Sequence, residues 1–310
     1  MTVLARREWL PRAQAHRERA EQWTTPHLRR RAAGEDHPVE DFLFEYYNFS
    51  PGALARWHPG LGIGLVDAPE HAALGAYRTD GSVSRVDPAR LERRLPGLRW
   101  TQALLTRTRD AEPRWSCFGL HEWAMVHGAA EQRRHAGQPL RLGAAGTDEV
   151  VRSHSLQCTH VDAFRFFTSE SAPLNAHPLT RGDQLRFEQP GCVHVTIDLY
   201  RLAFRLVPFV ESTIVLDAFE LALDARRVDM RASPYDVTDL GLIPIPVETA
   251  DGKADYVREQ RRLAELATPL RLRLLGHVTD LLEREGATAD RPVARPGVDP
   301  DPSAAGVRRS

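Results

Sequence analysis

The stretch CVHVTIDLYRLAFRLV, residues 192–207, decides the fold. Val193, Ile197, Tyr200, Phe204 and Val207 recur at steps of three and four, the spacing of a helix with one buried face. Residues 211–232 repeat the pattern through Val215, Phe219 and Leu223. Pro208 lies between the two and lacks the N–H that would carry one helix into the next. A packed helical hairpin is therefore predicted. Downstream, residues 254–285 read as a long helix kinked at Pro269. Upstream, residues 89–109 and 117–127 read as helices, the second ending at Gly128, with a loop over about 129–147. Residues 5–33 read as one or two Arg-rich helices interrupted near Pro26. His37–Tyr47 reads as a buried aromatic helix, with Pro38 at its first position and Glu40 and Asp41 in its first turn.

Strand signals are weaker. Residues 61–87 read as short strands and turns, and Thr159–Phe166 alternates in the period of a strand. Gly60, Gly62 and Gly64 lack the third glycine and following helix of a dinucleotide loop. The expected fold is mainly α with a minor β component (α+β). One globular domain is expected over residues 1–285. Residues 286–310, rich in Pro, Asp, Ala and Arg, are expected to be a disordered tail.

Charge and residue usage narrow the function. The net charge of −1 provides no global attraction for polyanions. A nucleic-acid partner would need a local patch, and residues 5–33 offer one, with eight arginines against Glu8, Glu18 and Glu21. No apolar run is long enough to span a bilayer, and Met1–Trp9 lacks the apolar centre of a signal peptide. A cytoplasmic protein with no membrane partner is expected, its oligomeric state left open. Cys117, Cys158 and Cys192 are an odd set without a CxxC pair, which argues against a disulfide scaffold or a cysteine zinc site. They read as three reduced, buried thiols. Lys253 is the only lysine. Walker-type phosphate loops and lysine-based cofactor chemistry therefore have almost nothing to build on. Lys253 itself reads as part of an exposed turn with Asp251 and Gly252.

Several constellations could carry chemistry. His121 and His127 are six apart and would face different sides of a helix, so the zinc-protease spacing of four is not met. On a strand, His160 and Asp162 would share a face that continues into Phe164 and Phe166, either as a pocket for a flat substrate or as a pair that orders a loop. His194 and Asp198 share a helix face, and Asp217, Glu220 and Asp224 line the next helix. These could hold a metal or form an exposed acidic stripe paired with Arg226 or Arg201. No G-x-S-x-G supports a serine nucleophile.

Six blocks carry a resemblance: HPVEDFLF (37–44), GLHEWAMV (119–126), QCTHVDAFRFF (157–167), EQPGCVH (188–194), DMRASPYD (229–236) and PIPVET (244–249). They resemble a family of high-GC bacterial proteins usually labelled 3-methyladenine DNA glycosylase, over roughly residues 8–280. The better-known alkylpurine glycosylases carry a helix-hairpin-helix loop. Here Leu95-Pro96-Gly97-Leu98-Arg99 has arginine where its second glycine belongs. The resemblance implies release of alkylated purines such as 3-methyladenine from double-stranded DNA. That chemistry needs an aromatic pocket for the flipped base and a carboxylate. Asp162 or Asp198 would be the carboxylate, His160 its orienting partner, and Tyr46, Tyr47, Trp123, Phe164 and Phe167 the walls. No cofactor is implied. With Lys253 the sole lysine, between Asp251 and Asp255, the enzyme would be monofunctional and use water as nucleophile. Two other classes fit the residues. One is a metal-dependent hydrolase or oxygenase acting on a small molecule through His160, Asp162, His194 and Asp198. The other is a non-catalytic binding protein. Convergence of those four side chains would favour an enzyme.

Overall fold

A computed structural model describes residues 2–284. In chain order the elements used below are β1 (Thr2–Leu4), α1 (Arg6–Ala33), α2 (Phe42–Tyr46), β2 (Ile63–Val66), β3 (Tyr77–Asp80), β4 (Val83–Val86), α3 (Leu95–Asp110), α4 (Leu120–Ala124), α5 (Gly143–Ser153), α6 (Val161–Phe164), α7 (Val193–Phe204), α8 (Thr213–Arg231) and α9 (Ala250–Arg284). Helix takes up 58% and strand 7%, so the fold is mainly α with a minor sheet. None of the described helices is long and apolar enough to cross a membrane.

The predicted hairpin forms the centre. α7 and α8 pack along one another, and α9 lies against both and against α3. Phe219 on α8 is wholly buried. It meets Tyr200 of α7 at 5.2 Å, Phe44 of α2 at 5.1 Å and Trp23 of α1 at 6.3 Å, ring to ring. Four helices thus share one aromatic contact. The face of α1 that packs inward is marked by Trp9, His16, Ala20, Thr24 and His27, spaced seven, four, four and three. Arg19 ties that helix to Asp217 and Glu220, and Arg30 ties it to Asp41.

The sheet has strand order β1-β2-β4-β3, with β1 parallel to β2 and the other pairs antiparallel. It packs Leu4 and Leu65 against Trp9, Trp57 and Ala68 in a small core of its own.

Several expectations are corrected. α1 is continuous through Pro11 and Pro26. Pro26 is on the exposed side, and burial of its neighbours Thr24 and His27 outweighs the one lost ladder bond. Residues 159–167 are not a strand: Val161–Phe164 make a helical turn capped by His160, whose Nδ1 accepts the Ala163 N–H at 3.1 Å. A ring nitrogen answering a helix-start donor beats an unpaired strand. The sheet instead recruits Thr2–Leu4. The expected loop over 129–147 already contains the start of α5. Lys253 stands in the first turn of α9, not in a free turn. Asp217, Glu220 and Asp224 form an acidic stripe as expected, but paired with Arg19, Arg273 and Arg262 rather than with Arg226 or Arg201. The expected tail, 286–310, lies outside the described residues.

Phe219→Ala removes the ring on which α1, α2, α7 and α8 converge. The expected loss is about 3–5 kcal/mol, read as a lower urea midpoint with an unchanged m-value. A loss below about 1 kcal/mol would show that this contact does not hold the helices together.

Candidate active site

The residues before α4 read Trp115-Ser116-Cys117-Phe118-Gly119. Phe118 and Gly119 both have positive φ, 50° and 73°. For phenylalanine this conformation costs on the order of 1–2 kcal/mol. At Gly119 a Cβ would stand 2.9 Å from the Ala232 Cβ and 3.2 Å from the Tyr256 ring, so only glycine fits. The double bend folds Cys117 back over the next turn, and its Sγ lies 3.3 Å from Nδ1 of His121. On the other side of that ring, Nε2 lies 2.8 Å from Oδ1 of Asp229, near the end of α8. Oδ2 of Asp229 accepts from Nη1 of Arg226 at 2.8 Å, and the same nitrogen donates to Glu122 at 2.9 Å. His121 and Asp229 are buried and Cys117 is half-buried.

The charges follow from this line. The Cys117 thiol is held well below its ordinary value because the Cys158 thiol donates to its sulfur; this outweighs burial, and the charge of His121 and the Gly119 N–H add to it. Burial opposes a charged His121, but Asp229 and the Cys117 sulfur raise it well above its usual value. Burial likewise pushes Asp229 up, and the charges of His121 and Arg226 bring it far below the carboxylate range. The three shifts agree on one state: thiolate, imidazolium, carboxylate. Cys158 and Cys192 behave differently, with thiols pushed well up: Cys158 chiefly by the bond to Cys117 and then burial, Cys192 by burial. The expectation of three equivalent buried thiols fails at Cys117.

A second buried group adjoins the first. His194 at the start of α7 stands between His121, at 4.5 Å, and His160, at 5.2 Å, ring to ring. Burial, with the neighbouring His121 charge, drops His194 to about 3 and keeps it neutral. His160 Nε2 reaches Asp198 at 3.2 Å and Glu188 at 3.6 Å. Asp198 also accepts from the Tyr47 hydroxyl at 3.0 Å and from Arg201, which bridges to Asp162 at 2.9 Å. Burial lifts Asp198, but Arg201 and His160 pull it below the usual range. Glu188, whose charge burial disfavours, sits at about 7.

Thus His160, Asp198, Asp162 and His194 lie close together inside the fold, but they do not converge on one cleft. Nor are they one ligand set. His194 groups with His121, Glu122 and Asp229, and His160 with Glu188 and Asp198; the possible ligand atoms in each group lie within 4.8 Å of one another. Neither group fits a metal well. Arg226 already occupies the cation's place between Glu122 and Asp229, and Arg201 does the same at Asp198. With His160 Nδ1 accepting a backbone N–H, the neutral ring carries its proton on Nε2, toward the carboxylates, where a metal would need a lone pair. Glu188 and Asp229 were not singled out by sequence, and His121 and Cys117 were weighed only as an unmet zinc-protease spacing and as a buried thiol. The signal available was Cys117 and His121 four residues apart, with Cys158/His160 and Cys192/His194 each two apart.

The expected aromatic walls do not form one surface. Tyr47 is buried against Asp198. Trp123 is buried with Nε1 donating to the Ala232 carbonyl. Phe164 packs on Phe167, and Tyr46 stacks on Phe42 with its hydroxyl taking an Arg165 N–H. Space is distributed otherwise. Between Glu188, Asp198 and Arg271 there is about 10 Å³, room for one water. A cleft of about 560 Å³ is lined by Ser116 and Phe118, the residues on either side of Cys117, and by Leu120, Ser153, His154, Ser155, Gln157 and Lys253; Cys117 itself lies behind this lining. That volume suits a small molecule.

Comparison with family models, curated proteins and solved structures finds no match to this chain.

Asp198 and Asp229 have folded-state values below those of the unfolded chain. Below about pH 4 the unfolded chain therefore binds more protons, and stability falls as pH falls. Asp198→Asn leaves Arg201 short of a buried partner and is expected to remove about 3–5 kcal/mol near neutrality. It should also flatten the acid side of a plot of Tm against pH. An acid side as steep as in the parent protein would mean that the Asp198 charge is not what Arg201 holds.

Proposed function

We propose that the protein is a cysteine-nucleophile enzyme in which Cys117 attacks an electrophilic carbon, such as an acyl carbon, of a small molecule held in the adjoining cleft. The observation that carries this reading is the hydrogen-bonded line Cys117–His121–Asp229, with residues on both sides of Cys117 lining that cleft. A thiolate beside an imidazolium is the activated form of a cysteine nucleophile. The thiolate forms the new S–C bond as the bond to the leaving group breaks, and the His121 Nδ1 proton goes to the leaving group. His121, now neutral, takes a proton from water, whose oxygen displaces the sulfur and restores thiolate and imidazolium. Asp229 and Arg226 are positioning residues: they fix the ring and the carboxylate and touch no substrate.

Base excision, which the resemblance implies, draws on other residues. Asp198 is buried and engaged by Tyr47, His160 and Arg201, and the space it lines holds one water. Release of methylated base from alkylated duplex DNA that depends on Asp198 and is indifferent to Cys117→Ser would decide for that reading instead.

The direct test uses iodoacetamide on the native protein, with the labelled residue located by peptide mass. An ordinary thiol loses about tenfold in rate per pH unit below about 8.5, its unperturbed value. Cys117 is expected to lose its rate less steeply than that as pH falls below about 8.5, while Cys158 and Cys192 stay unlabelled. His121→Gln, which removes the imidazolium but leaves Cys158 in place, should steepen the fall of the Cys117 rate with pH relative to the parent protein. A native Cys117 that is inert, or that follows the ordinary slope, would falsify the proposal.

A further inference from the structure

Resting on that reading, we infer that the substrate of the Cys117 cleft carries an anionic group, a carboxylate or a phosphoryl oxygen, gripped by Lys253. Three observations on the cleft support this. Lys253 is the one permanent cation among its lining residues, and no carboxylate lines it. The rest of the polar lining is uncharged hydroxyl and amide from Ser116, Ser153, Ser155 and Gln157, with the imidazole of His154. An anion entering here meets attraction without a competing acid.

The Lys253 charge is also uncommitted. It makes no ion pair among the described residues, whereas Asp255, two positions on, pairs with Arg258. Its Nζ stands 5.8 Å from the centre of the Phe118 ring, the residue next to the nucleophile. A cation so placed can hold an anionic group beside Phe118, the residue that follows Cys117. The chain uses arginine almost everywhere else, and an ammonium differs in kind from a guanidinium. It is a compact point charge with three rotatable donors that adapts to a single oxygen, while guanidinium favours a planar two-oxygen partner. Phe118 is held in a strained backbone conformation, which fixes the ring and therefore the approach of the ammonium.

The test compares two alkylating agents of similar size, anionic iodoacetate and neutral iodoacetamide, on the native protein. The readout is the ratio of their rates at Cys117. Lys253→Met is expected to lower the iodoacetate-to-iodoacetamide ratio about three- to tenfold, the range of one partly solvated charge contact. Lys253→Glu should lower it further, and high salt should bring the parent protein toward the Lys253→Met ratio. Competition at matched ionic strength separates the two anion types: slowing of labelling by acetate assigns a carboxylate, and slowing by inorganic phosphate assigns a phosphoryl group. A ratio that ignores both substitutions, or slowing by neither anion, overturns the inference while leaving Cys117 a nucleophile. Failure of both reagents to label Cys117 overturns the nucleophile itself.

Discussion

A carboxylate with no exposure to water has to be answered by charge, and at Asp229 that requirement organises the interior. Its two oxygens are divided between His121 on one side and Arg226 on the other. Arg226 cannot lose its proton, so its charge is fixed, and it extends the arrangement to Glu122 on α4. His121 is thereby held in one orientation with its second nitrogen toward Cys117. Without Asp229 the imidazolium would have only the Cys117 sulfur to answer its charge, and its Nε2–H would be buried without an acceptor. A buried cation so thinly answered is too costly to keep. The α7–α8 hairpin is the frame for this, since α8 supplies Asp229 and Arg226 and α7 supplies His194 and Asp198.

The pair also exchanges its proton internally. Between the ordinary values of histidine and cysteine, about 6.5 and 8.5, an unfolded chain holds a neutral imidazole and a thiol. In the folded chain the shifts run toward an imidazolium and a thiolate. A pair fully in that state binds the same number of protons there as the unfolded chain. Forming the activated nucleophile therefore adds no slope to stability across neutral pH. Below that range His121 no longer differs between the states, and the depressed thiol makes stability fall as pH falls. Above it the thiol no longer differs, and the raised imidazole makes stability fall as pH rises.

How far the sequence could be read differs between scaffold and site. The hairpin was legible because Val193, Ile197, Tyr200 and Phe204, then Val215, Phe219 and Leu223, each repeat one helical period, and periodicity is a local property. The continuity of α1 through Pro26 was not legible, because it depends on what packs against Thr24 and His27. His160 and Asp162 read as strand neighbours because alternation over a few residues also fits a capped turn. Their closeness to Asp198 survives that error, since it runs through Arg201 and α7. Asp229 was quoted only within a block of resemblance. Its role rests on a partner 108 positions away, and spacing along a chain carries no trace of such a pairing. Cys117 and His121 were one turn apart in plain view, but the bend at Phe118 and Gly119 that makes them meet is a tertiary demand set by Ala232 and Tyr256.

The solitary lysine has a practical side. Amine-directed reagents that react throughout most proteins find here a single side-chain target, half-buried in the first turn of α9 at the edge of the cleft. A fluorophore attached at Lys253 would sit beside Phe118 and sense whatever enters. The molecule thus comes with its own addressable reporter position, and screening for ligands by emission change needs no introduced cysteine and no removal of competing amines from the rest of the fold.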